Sequence, residues 1–140
     1  MKKYNLALTE KQLSTIQKAC EFYSRFLAGQ WEIPQELQWN EYRIREKPDN
    51  FWDIRNQSQD IVHVAKENFF NGKLSRHASY GIGNDELSEY AKIAYDIYRP
   101  ILEQFTKENK EAANHTHMSV YDSPGFPYSE EGRITIKLEE

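Results

Sequence analysis

Arg133-Ile134-Thr135-Ile136-Lys137-Leu138 alternates polar or charged residues with large apolar ones at every step. That is the period of a half-buried β-strand. Reading this stretch as a strand decides the fold class, because the longer patterned segments of the chain are all helical. Upstream, His117-Met118-Ser119-Val120-Tyr121 reads as a second strand. Pro124, Gly125, Pro127 and Gly132 lie between the two, a connection too long for a two-residue hairpin turn yet compatible with pairing across a wider loop. At the other end, Tyr4-Asn5-Leu6-Ala7-Leu8 shows the same period of two. The expected fold is therefore α+β: three main helices packed on a small, mainly antiparallel sheet built from one N-terminal and two C-terminal strands, in a single domain over residues 1–140.

The helical segments carry their own punctuation. Thr9-Glu10-Lys11-Gln12 matches a capping box, with Leu8 and Leu13 placed as a hydrophobic staple. The helix that starts there has Leu13, Ile16, Cys20, Tyr23 and Leu27 on one face, and Gly29 suits the left-handed residue that ends it. From Gln30 to Pro48 no period is clear, and a loop or short helices are expected. A second helix lies between Asn50 and Phe70, with Phe51, Ile54, Ile61, Val62, Ala65 and Phe69 on its apolar side and Asn71-Gly72 closing it. Asn84 is placed as the N-cap of a third, whose face is Leu87, Ala91, Ala94, Tyr98, Ile101 and Phe105, with a kink or interruption at Pro100.

Composition excludes several classes. The 140 residues, 39% hydrophobic with a mean hydropathy of -0.86, contain no apolar run long enough to span a bilayer. The start of the chain lacks the apolar core of a secretion signal, and the single cysteine, Cys20, leaves no internal disulfide, so a reducing cytosol is expected. A net charge of -4 argues against a dedicated binder of duplex DNA. The aromatic share of 14% supplies rings for the core first and for contacts second.

Two stretches carry a family resemblance. One is Tyr4 to Leu13 followed by Ala19-Cys20-Glu21-Phe22-Tyr23-Ser24-Arg25. The other is His77-Ala78-Ser79-Tyr80-Gly81-Ile82-Gly83-Asn84 continuing into Ala91 to Tyr98. With Ser119 to Pro124 and the final strand, they make most of the chain similar to a widespread family of small, mostly uncharacterised bacteriophage and prophage proteins; Pro100 departs from the longer helix of that pattern. The resemblance implies a phage origin and a site of action in the host bacterial cytoplasm, and it brings no catalytic residues. Phages keep many small accessory proteins that disarm host defence, some by sequestering nucleotide alarm signals, so a counter-defence role is expected by analogy.

The sharpest local feature is Ser79-Tyr80-Gly81-Ile82-Gly83-Asn84, with Lys73, Arg76 and His77 just upstream. Glycines before a helix N-terminus can bring backbone amides close to a phosphate, and Tyr80 offers a ring for a base. Against this stand Asp85 and Glu86, which would repel an anion, and the absence of the lysine-serine or lysine-threonine pair of a P-loop. The plain alternative is a tight turn with a good cap. Arg43 and Arg45, near Tyr42, Phe51 and Trp52, would complete a pocket if they fold beside Arg76; interleaved acids favour a solvated face instead. His115 and His117 lack a third metal ligand unless Asp122 joins them, so neither a metal nor any other cofactor is assigned. His63 among apolar neighbours reads as a core histidine, and Cys20 as a small apolar residue.

The expected function is binding rather than catalysis: an accessory protein that sequesters a small phosphorylated ligand, a nucleotide-type host immune signal, through Lys73, Arg76, His77, Ser79, Tyr80, Gly81, Gly83, Asn84, Arg43 and Arg45. The alternatives are an inhibitor of a host or phage protein acting through an aromatic surface around Trp31, Trp39 and Trp52, and an enzyme that degrades such a signal. Self-association into a homo-oligomer fits either binding reading.

Overall fold

Three helices form, α1 (Glu10–Leu27), α2 (Phe51–Phe69) and α3 (Glu89–Glu108), and local capping chemistry sets both ends of α1 and the end of α2. The computed structural model of the chain describes residues 1–32, 49–109 and 125–139. At the start of α1 the capping box forms as read: the Thr9 amide donates to Gln12 Oε1 at 2.9 Å and the Gln12 amide to Thr9 Oγ1 at 3.3 Å. At its end the Gln30 amide reaches the Arg25 carbonyl at 2.9 Å and the Gly29 amide the Phe26 carbonyl at 3.1 Å, a Schellman turn with Gly29 at φ +89. Any side chain at Gly29 would also meet Leu74, since an added Cβ falls 2.5 Å from Leu74 Cδ1. The end of α2 repeats the pattern, with Asn71 as the left-handed residue and the Gly72 amide on the Glu67 carbonyl.

The expected sheet does not form among the described residues. Among the described residues there is no strand, so the α+β assignment is corrected to an all-α fold. Residues 4–8 are irregular and exposed, and residues 133–138 make no ladder; the His117–Tyr121 segment lies outside the described residues. Period-two alternation says how side chains would divide across a sheet, but a strand also needs a neighbouring backbone to pair with. Residues 133 and 134 instead spend their polar groups on α3.

The residues group into two units, Phe22–Ala91 and Met1–Glu21 with Lys92–Glu140. In the first, Ala28, Leu87 and Ala91 form a small core against which Leu27, Tyr80 and Ile82 pack. Ser24 is buried beside it and donates to the Ala91 carbonyl at 2.9 Å. The expected buried face of α1 is therefore turned: Ser24 and Gln17 are buried, while Tyr23 is exposed. The face of α2 is turned further. Ile54, Ile61, Val64 and Phe69 are exposed, whereas His63 and Lys66 are buried.

In the second unit, α3 passes through Pro100 without a break. Proline has no N–H to donate to the carbonyl four residues back, here Asp96. That freed carbonyl accepts the Ile134 amide at 3.3 Å. The Asp96 carboxylate, itself buried, accepts the Tyr128 amide, the Ser129 amide and the Ser129 hydroxyl, the last two at 2.7 Å. Two turns on, buried Glu103 accepts the Gly125 amide at 2.7 Å and pairs with Arg99 and Arg133. The C-terminal segment is thus held on one face of α3 by polar anchors seven residues apart, and this replaces strand pairing.

α3 also starts later than the sequence suggests, at Glu89 rather than Asn84. The Asn84 side chain accepts the Glu86 amide at 2.8 Å, and its own amide donates to the Gly81 carbonyl at 3.0 Å. This local turn competes with helix initiation, and the Ser88 hydroxyl, accepting the Tyr90 amide, sits at the helix start.

Candidate functional site

A cleft of about 90 Å3 opens in the Phe22–Ala91 unit, lined by Gly29, Gln30, Trp31 and Glu32 from the segment after α1, His63 and Lys66 from α2, and Arg76 to Ser79 from the following loop. The Schellman turn at Gly29 directs the chain so that Trp31 stacks on Phe26, with ring centroids 4.6 Å apart and planes 12° from parallel. Its indole N–H donates to the Phe26 carbonyl at 2.9 Å, and Phe69 and Phe70 pack against its other sides. Trp31 is therefore a fixed wall that places Glu32.

Lys66 forms the cationic centre. Only 2% of it is exposed, and its ammonium donates to the Ala78 carbonyl at 2.6 Å and the Arg76 carbonyl at 3.1 Å. Burial pushes its pKa below the ordinary lysine value, opposed by the nearby Glu32 carboxylate. The two bonds pin the loop over α2. Arg76 at the rim is oriented by Asp60 at 2.9 Å, and both side chains face solvent.

Glu32 stands between two imidazoles. Its Oε1 lies 3.3 Å from His63 Nε2 and 3.4 Å from His77 Nδ1, and the two rings meet edge to face at 6.0 Å. Burial first, and then the Arg76 charge, push the His63 pKa below its ordinary value; His77 and Lys66 act in the same direction and Glu32 opposes them. A neutral His63 whose Nε2–H faces the carboxylate leaves Nδ1 as a bare acceptor. Nδ1 is buried without a hydrogen-bond partner among the described residues. No group of three His, Cys, Asp or Glu among the described residues is arranged to hold a metal ion. The cleft therefore offers donors from Lys66, Arg76 and Ser79 beside an acceptor from Glu32, with His63 packed behind it.

Of the residues singled out in the sequence, Arg76, His77 and Ser79 come together here. Lys73 is exposed in the turn after α2, outside the cleft lining. Tyr80 is engaged elsewhere: it packs on the Ala28–Leu87–Ala91 core, its amide donates to the Ala28 carbonyl, and its hydroxyl contacts Glu86 at 3.3 Å. Gly81, Gly83 and Asn84 form an exposed turn that ends before α3 begins, so the glycines do not stand at a helix N-terminus. Arg43 and Arg45, like His115, His117 and Asp122, lie outside the described residues. Sequence reasoning missed Glu32 and Lys66. The one available signal for Lys66 was its position a turn after His63, which already read as a core residue. Cys20 is half-buried and burial pushes its thiol pKa up, which leaves it less reactive than an exposed cysteine.

None of the helices is long and apolar enough to cross a membrane among the described residues. No protein-family model, curated protein or solved structure matches the chain.

Proposed function

We propose that this protein is a binding protein that captures a small phosphorylated molecule in the Lys66–Arg76 cleft and sequesters it. The carrying observation is the buried Lys66 ammonium, held by two main-chain carbonyls in a loop whose next residues present Arg76 and Ser79 to the same space. An ammonium taken out of water attracts an anion more strongly than a surface lysine does, and the planar guanidinium of Arg76 suits phosphate oxygens. The size of the cleft restricts what enters. At about 90 Å3 it is well below the roughly 300–1,000 Å3 of sites that enclose a drug-sized ligand, so one phosphate and its nearest atoms enter while the rest stays outside. Glu32 disfavours a lone dianion and welcomes hydroxyl donors beside the phosphate. A sugar phosphate with free hydroxyls, as in a ribonucleotide, supplies both.

The cargo class proposed is accordingly a nucleotide-type signal, and the setting a phage-infected bacterium in whose cytoplasm such a signal triggers defence. Sequestration needs only tight, slowly released binding without turnover. Purified protein exposed to extracts of infected, defence-positive cells, then washed and heat-denatured, is expected to release an intact phosphorylated molecule detectable by mass spectrometry. Arg76→Ala should bind that molecule about tenfold more weakly or worse, the loss of one charge-assisted contact of roughly 1.5–3 kcal/mol, with its unfolding temperature preserved. Release of a chemically altered molecule, or unchanged binding by Arg76→Ala, overturns the proposal.

A further inference from the structure

The two buried residues of α2 are the polar His63 and Lys66, while several of its large apolar side chains are exposed along with most of its other polar ones. Ile61 is 71% and Val64 61% exposed, and Ile54 is exposed as well. Ile54, Gln57, Ile61, Val64 and Asn68 follow the alternating three- and four-residue spacing of the a and d positions of a heptad. The helix meets its own unit through the other side, where His63 and Lys66 occupy positions c and f. The outward seam thus carries apolar residues at three of five heptad a/d positions, with Gln57 and Asn68 at the other two.

One flank of the seam is uniformly acidic. Asp53, Asp60 and Glu67 recur at seven-residue intervals in the g position, and all three are exposed. The e positions on the other flank are Ser58 and Ala65, and the cations of the helix, Arg55 and Lys66, lie on the opposite side at b and f. Asp60 shares its charge with Arg76, while Asp53 and Glu67 mark the two ends of the ridge.

We infer that this face of α2 docks a basic amphipathic helix of another protein, with apolar residues in the a/d seam and lysine or arginine on the flank that meets the Asp53–Asp60–Glu67 ridge. The charge pattern selects this occupant over a second copy of the chain. In an antiparallel pair of α2 helices the g positions face each other, which opposes carboxylate to carboxylate; in a parallel pair g meets e, where Ser58 and Ala65 have no charge to offer. Only a cationic partner gains from the ridge. A polar Asn68 at an a position restricts register and partner number.

The test uses the full-length protein and two labelled helical peptides of three heptads, identical in their isoleucine and leucine a/d seam but carrying lysine at e and g in one and glutamate in the other. Fluorescence anisotropy at physiological salt should show the lysine peptide bound and the glutamate peptide not. Ile61→Glu should weaken lysine-peptide binding by at least about tenfold although it makes the protein more acidic, an outcome that general charge attraction does not give. Asp53→Lys combined with Glu67→Lys should shift the preference toward the glutamate peptide. Because all three positions are exposed, the variants should keep the parent's circular dichroism and unfolding temperature. Equal binding of the two peptides overturns the inference, as does unchanged binding by Ile61→Glu. So does a dimer of the unliganded protein that Ile61→Glu dissociates, or an Ile61→Glu protein that fails to fold.

Discussion

His63 and Lys66 show how a single buried polar residue carries both structural and chemical weight. Lys66 donates to two carbonyls of the loop over α2 and so holds that loop to the helix. His63 is one group through which pH acts on this unit. Its folded-state pKa is lowered from 6.5 by burial and by the Arg76 charge, against the opposing pull of Glu32. Between that lowered value and 6.5 the unfolded chain binds more protons at this site than the folded one, so stability rises with pH across the window. Below the lowered value the full penalty of protonating a buried imidazole is present. Thermal unfolding followed in mildly acidic and neutral buffers should therefore show the midpoint falling as pH drops below 6.5, and His63→Gln should flatten that dependence. Parallel profiles for parent and variant would assign the pH dependence to other groups. The burial of His63 was legible before folding, since a histidine between Val62 and Val64 signals it, but its partners were not.

At the scale of the element, α3 turns an apparent defect into an attachment point. Pro100 costs an interior helix about 3 kcal/mol relative to alanine, and its nearest visible return is the free Asp96 carbonyl that receives the Ile134 amide. Pro100→Ala restores an N–H that competes for that carbonyl. Hydrogen exchange should then show slower exchange through the middle of α3 and faster exchange at the Ile134 amide. Unchanged protection of Ile134 would separate proline from docking. Helix ends were readable from the sequence because capping is local: Thr9 with Gln12, Gly29, and Asn71 with Gly72 each act within a few residues. The start of α3 was not, because Asn84 makes a good cap and a good turn with the same side-chain oxygen, and the turn is what forms.

Across the whole molecule, the strand-like pattern at the start of the chain remains outside the helical fold. Tyr4, Leu6 and Leu8 are exposed, and ordered capping begins only at Thr9. Brief chymotrypsin treatment should cleave within residues 4–8, and protein trimmed there alone should melt at the temperature of the intact one. A fall of several degrees would mean that these residues contribute contacts to the folded state.

By itself the sequence determined where the first two helices stop, and one of them begins, as well as the size class, the acidic balance and the presence of Arg76, His77 and Ser79 near one another. Those properties depend on composition or on interactions between residues close in the chain. Tertiary structure decided what periodicity leaves open. A repeat of three and four says which residues of α2 share a side but not whether that side turns inward, and here the inward side is the one with His63 and Lys66. A repeat of two in Arg133 to Leu138 fits a strand equally well whether or not a partner strand exists, and buried Asp96 and Glu103 on α3 offered this end of the chain stronger anchors. Both outcomes were set by residues distant in sequence, whose charge and hydrogen-bonding capacity become decisive only after folding removes them from water.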